Sequence, residues 1–118
     1  MRITKQTIRV CSDTGSKETT GYVCKAIPGL AVARASFKND KRGWSLTHIG
    51  TGLRCSEIVS KRTALIALEC LIPAGFDWTL DRDNLVRAYS CRRLRHTIDN
   101  VIAIGRLGRP RQKFLFAA

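Results

Sequence analysis

A chain of 118 residues with 44% apolar content is long enough for one hydrophobic core, since a domain of this size hides about two thirds of its unfolded surface. Its 21 Lys and Arg against 9 Asp and Glu leave a formal net charge of +12, an excess that repels itself and calls for a polyanionic partner, either nucleic acid or an acidic protein or nucleoprotein surface. Glu69 and Pro73 interrupt the greasiest stretch, residues 63–76, which excludes a membrane-crossing helix, and no close Cys pairs suggest zinc.

In chain order, residues 3–10 carry an imperfect strand signal rich in β-branched side chains, and residues 12–21 read as a polar loop. Residues 22–27 form a second strand that ends at the turn dipeptide Pro28-Gly29. A third, residues 30–37, sets Leu30, Val32 and Arg34 on one face and Ala31, Ala33 and Phe37 on the other, then closes in a charged loop with Lys38, Lys41 and Arg42. Residues 44–49 continue the meander, and Gly50-Thr51-Gly52 turns the chain into Leu53-Arg54-Cys55.

Ser60 is an N-cap for a helix over 61–72 that Pro73 and Gly75 stop. Its Ala64, Leu65, Leu68, Leu71 and Ile72 make an apolar stripe for the sheet, while Ile66 and Cys70 need cover from a further element. Asp81 or Asp83 caps the next helix, with Leu85, Val86, Ala88 and Tyr89. A second apolar set, Cys91, Leu94, Ile98, Val101 and Ile102, points to nearly the opposite side, which predicts a break near Ser90. The fold class is therefore α+β, an antiparallel sheet of three to five strands with a helix on one face and a C-terminal helical segment. One domain is expected over 1–104, with its core at 20–76, its helical segment at 81–104 and a basic arm over 105–118.

Charge is concentrated late: residues 84–118 hold eight Arg and Lys and one acid, Asp99. Arg92, Arg93 and Arg95, with His96, are expected to lay guanidinium forks along a phosphate backbone, unless they form a solvated helix face or pair with Asp77, Asp81 and Asp83. The sheet offers a second basic surface, in which Arg34, Ser45, Thr47 and Arg54 share the face opposite the helix, rimmed by Lys38, Lys41 and Arg42; ordinary polar-out alternation is the alternative. Stacking on single strands needs exposed rings beside cations, and Tyr22, Phe37 and Trp44 are the candidates, although Phe37 and Trp44 also read as core. Trp78 is expected to seal the helix against the sheet, its indole N–H finding a backbone partner.

The tail Arg106-Leu107-Gly108-Arg109-Pro110-Arg111-Gln112-Lys113 resembles an AT-hook over about eight residues, with Leu107 where the family has a cation and Gln112 interrupting the far basic cluster. That resemblance implies a short arm along the minor groove of A·T-rich DNA, carried by Arg106, Arg109, Arg111 and Lys113. Phe114, Leu115 and Phe116 behind it can dock on the body or on a second copy, giving a homodimer.

No nucleophile with a base, no cofactor motif and no metal motif stands out: His48 and His96 are the two histidines, and Asp77, Asp81 and Asp83 are explained by capping. The five cysteines are widely spaced and read as small buried hydrophobes in a reducing compartment. The opening Met1-Arg2-Ile3-Thr4-Lys5 leads into no apolar h-region, so a cytoplasmic protein is expected. The expected function is that of a non-catalytic nucleic-acid-binding accessory protein. The alternative is an adaptor or inhibitor that docks on an acidic surface, of the anti-defence type mobile elements carry, such as an anti-CRISPR.

Overall fold

A computed structural model describes residues 2–12, 15–34 and 43–107. Four strands, β1 (Thr4–Ser12), β2 (Gly15–Val23), β3 (Leu30–Arg34) and β4 (Trp44–His48), form one antiparallel sheet in the order β1-β2-β3-β4. Three helices follow, α1 (Lys61–Leu71), α2 (Arg82–Tyr89) and α3 (Cys91–Leu107). This is the α+β architecture that the alternating and 3.6-residue patterns predict. Among the described residues no helix is long and apolar enough to cross a membrane.

Two departures concern the first strands. Residues 15–21, expected as loop, belong to β2, which pairs with β1 from Thr4↔Val23 to Ser12↔Gly15. Residues 24–27, expected as strand, are turn, so β2 meets β3 through only Gly21↔Ala33 and Tyr22↔Val32. With so short a junction the long ribbon folds over the sheet. Ile8 and Val10 of β1 lie against Ala31 and Ala33, and Ile8 fills the space left by Gly21, where a Cβ would stand 2.9 Å from Ile8 Cδ1. The backbone of β1 then reaches the turn after β4: Cys11 N donates to Gly52 O at 2.9 Å. Gly52 has φ of 71° and would drive a Cβ to 2.9 Å from Arg9 O, so glycine is needed there for both conformation and space.

This curl explains why Ser45 and Thr47 are buried, against the expectation of a polar face in solvent. Their hydroxyls lie 3.4 Å apart, so one can donate to the other under the ribbon.

The main core lies on the other face. Leu30, Val32 and Leu46 project from the sheet onto Ala64, Leu68 and Leu71 of α1, and Ile98, Val101 and Ile102 of α3 complete the cluster. α1 begins as expected, with Thr63 N donating to Ser60 Oγ at 3.1 Å, and passes into a short 3-10 turn (Ile72–Ala74) that Gly75 ends. α3 is the element that covers the second side of α1. The break at Ser90 is present, with φ of 65° there and Ser90 Oγ accepting from Arg93 N. α3 continues through Leu107, so Gly105 and Arg106, expected in the arm, are helical, and Gly105 is buried in the crossing with α1. Residues 108–118 lie outside the described residues, and with them Arg109, Arg111, Lys113 and the Phe114, Leu115, Phe116 set.

Candidate nucleic-acid interface

The helical arginines do not act as one row. At about 100° per residue, Arg93 points roughly 160° away from Arg95 around α3. Arg93 lies over the rings of Phe76, at 5.2 Å, and Tyr89, at 6.0 Å, a stacked position on the side of α2. Arg95 is exposed on the opposite flank, and Arg92 is exposed between them. Arg106 bonds to Glu57 Oε2 at 3.0 Å, an ion pair whose two side chains are more than half exposed and so contributes little to stability. The acids Asp77, Asp81 and Asp83 do not bind these arginines among the described residues. Asp81 caps α2 through Asn84 N at 2.8 Å, Asp77 accepts from Thr79 N at 3.1 Å, and Asp83 sits in the first turn of α2, where a helix dipole favours an anion.

The expected sheet patch is also divided. Arg34 pairs with Trp44 across β3 and β4, on the face that carries α1, whereas Ser45 and Thr47 lie on the other face. Arg54 forms an isolated bridge with Thr47 beyond the β4 edge and is exposed. Lys38, Lys41 and Arg42 are outside the described residues, as is Phe37, in the chain that joins Arg34 to Gly43.

What the fold does bring together is a set the charge count overlooked. Lys61, the first residue of α1, places Nζ 4.2 Å from the centroid of Tyr22 and 5.2 Å from that of Trp44, and donates to Tyr22 Oη at 2.9 Å. Lys5, opposite Tyr22 in the β1–β2 register, lies 5.9 Å from the same ring. The two half-buried rings are 5.8 Å apart and tilted by 55°. The hydrogen bond from the Lys61 ammonium, with the charges of Lys61 and Lys5, holds the Tyr22 hydroxyl below the ordinary phenol range. Arg34 pairs with Trp44 across β3 and β4, so Lys5, Lys61 and Arg34 lie about two rings on the face of the sheet that carries α1. The sequence signal lies in the first turn of α1, where Lys61 and Arg62 occupy positions that normally favour acids and no acid is present.

The two histidines are both held by hydrogen bonds. His48 is buried with Nε2 3.0 Å from Trp78 O and 2.9 Å from Leu80 O, and Nδ1 2.9 Å from Thr51 Oγ1. His96 is exposed and bonds Asn100 on its own helix. Among the described residues no group of three or more His, Cys, Asp or Glu is arranged to hold a metal ion. Trp78 is buried in the main core, edge-on to Phe76, but its indole N–H has no hydrogen-bond partner among the described residues, contrary to the expected backbone bond.

All five cysteines are free, but Cys11 and Cys91 are exposed and not core residues. Burial pushes the Cys55 thiol up from 9.0 to about 12, against a weaker opposing hydrogen bond. The folded state then retains a proton that the unfolded chain loses. Cys55 therefore adds no pH dependence below about 9, and stability falls as pH rises from there towards 12. Cys55→Ala is expected to flatten that alkaline slope in urea unfolding. In the native protein at pH 8, iodoacetamide is expected to alkylate Cys11 and Cys91 well before Cys55; equal labelling would contradict the burial.

The fold and site together define a basic α+β protein with a cation and aromatic cluster on the α1 side of a four-stranded sheet. No protein-family model, curated protein or solved structure matches the chain.

Proposed function

We propose that the chain is a non-catalytic, cytoplasmic nucleic-acid-binding accessory protein that lays a phosphate backbone across Lys5, Lys61 and Arg34, with Tyr22 and Trp44 offering ring surface to bases. The observation that carries this reading is the position of Lys61. A cation at the positive end of a helix is disfavoured in the free protein, and here it is held over two rings beside Lys5. A phosphate at that point relieves the repulsion and gains the helix dipole as well. The net charge of +12 supports the same partner at long range. Single strands are the better match, because a duplex hides the base faces that rings stack on. Arg92 and Arg95 on α3 extend the field without forming part of this face.

Fluorescence anisotropy with labelled single-stranded DNA, RNA and duplex DNA tests the reading across a salt series. The expected result is binding at low salt that weakens steeply as salt rises. Lys61→Glu combined with Tyr22→Ala is expected to weaken binding by about tenfold or more and to flatten the salt slope by roughly one. No binding at low salt, or unchanged binding in the double variant with a native circular dichroism spectrum, overturns it.

A further inference from the structure

The β4–α1 connection, α2 and α3 enclose an open groove of about 960 Å³. Its walls carry Leu53, Leu85, Val86, Leu94 and Ile98, and Arg54, Arg82 and Arg95 stand among them from three separate segments. Two of these apolar side chains are presented to solvent at cost: Leu53 is 47% exposed and Val86 39%. The groove also contains two carboxylates, Glu57 and Asp99, but Glu57 is held by Arg106 at 3.0 Å, so Arg82 and Arg95 outnumber the remaining acid on the rim.

We infer that this groove receives an acidic amphipathic segment of a partner protein, with aliphatic side chains on Leu53 and Val86 and carboxylates facing Arg54, Arg82 and Arg95. Charge complementarity selects the occupant. A second copy of this chain would bring another +12 to a basic rim. Nucleic acid finds little stacking surface there, because the rings on its wall, His48 and Trp78, are each only 4% exposed. A segment with an aliphatic stripe and a carboxylate stripe satisfies both halves of the lining, as helix-in-groove recognition requires. Arg82 in the first turn of α2 fits the same reading, since its charge opposes the helix dipole and is not neutralised by an ion pair among the described residues. None of these residues belongs to the Lys61 face, so the groove and the nucleic-acid reading succeed or fail separately.

The probe is a labelled peptide of roughly 14 residues, about four helical turns, with Leu at i, i+3, i+4 and i+7 spacing and Glu on the remaining face. Two relatives control for each stripe, one with Ser for Leu and one with Lys for Glu. Saturable anisotropy binding to the full chain is expected for the Leu/Glu peptide, at least about tenfold weaker for either relative. Leu53→Asp with Val86→Asp, and separately Arg82→Glu with Arg95→Glu, are each expected to reduce affinity by about tenfold or more, while Lys61→Glu leaves it within about twofold. The four altered side chains are exposed or on the groove wall, and thermal melting of each variant confirms the fold. Where Leu53→Asp with Val86→Asp melts early, Leu53→Ser with Val86→Ser gives the same readout. Absence of saturable binding, equal binding of the Ser relative, a Lys61→Glu loss matching the groove variants, or displacement of the peptide by oligo-dT in the Lys61→Glu background overturns the inference. The last of these outcomes would assign the groove to nucleic acid.

Discussion

Replacing Gly105 with alanine is expected to destabilise the protein by about 1–3 kcal/mol, and valine by more, although alanine in a helix interior normally gains about 0.5–1 kcal/mol over glycine. The sign reverses because α3 crosses α1 at this residue. A Cβ there would stand 2.5 Å from Thr63 O and 3.1 Å from Thr63 Cγ2. The nearer obstacle is backbone, which no change of rotamer can move, so the two helices must separate. Separation loosens Leu68 on one side and Ile98, Val101 and Ile102 on the other, all in the main core. Urea unfolding of Gly105→Ala, Thr63→Ala and the double variant distinguishes the two contacts. Thr63→Ala removes the methyl group and leaves the carbonyl, so the double variant is expected to recover less than about half of the loss. Full recovery would mean that the side chain, and not the backbone, sets the closeness of the crossing.

That crossing also shows where the sequence was hard to read. Gly105 stands among Arg106, Gly108 and Pro110, and a Gly-rich, Pro-containing stretch normally marks the end of a helix. Here the first glycine serves close helix packing, a role that depends on a partner more than 40 positions away and leaves no local trace. By contrast, the Ser60 cap, an aspartate cap at Asp81 or Asp83 and the break at Ser90 were legible, because capping and the reversal of an apolar stripe are local physics. The ribbon was half legible for a similar reason. Residues 4–7 and 15–18 are exposed on both faces, so neither face imposes alternation, and β2 reads as polar loop until Gly21 and Tyr22 join the sheet.

The candidate site follows the same division. Net charge pointed to a polyanion, but it could not say which cations share a surface. Arg92, Arg93 and Arg95 are adjacent in the chain and diverge around α3, with Arg93 taken up by Phe76 and Tyr89. Lys5, Arg34 and Lys61 are far apart in the chain, and strand register together with the packing of α1 brings them to Tyr22 and Trp44. Tyr22 and Trp44 were recognisable as rings suited to stacking, but their cations were not, since Lys61 reads as an ordinary helix residue until its first-turn position is weighed.

His48→Leu is expected to cost about 2–4 kcal/mol, and the loss is expected to concentrate in the segment that forms one wall of the groove. Trp78 O and Leu80 O can only accept, so Nε2 carries the proton and is shared between them. Thr51 Oγ1 accepts from Leu53 N at 3.2 Å, which leaves its own hydrogen for Nδ1. One buried ring thus fastens the turn after β4 to residues 78–80, immediately before the Asp81 cap of α2. Leucine fills a similar volume but abandons two carbonyls and a hydroxyl away from full solvent contact. Glutamine, whose amide supplies two donors, is expected to restore part of the stability where leucine restores none. Hydrogen exchange locates the damage: amides of α2 should lose protection in His48→Leu by a larger factor than those of α1, which is anchored separately by the sheet and by α3. Uniform loss across both helices would show instead that His48 holds the whole core, and unchanged exchange in α2 would remove the histidine from any part in shaping the groove.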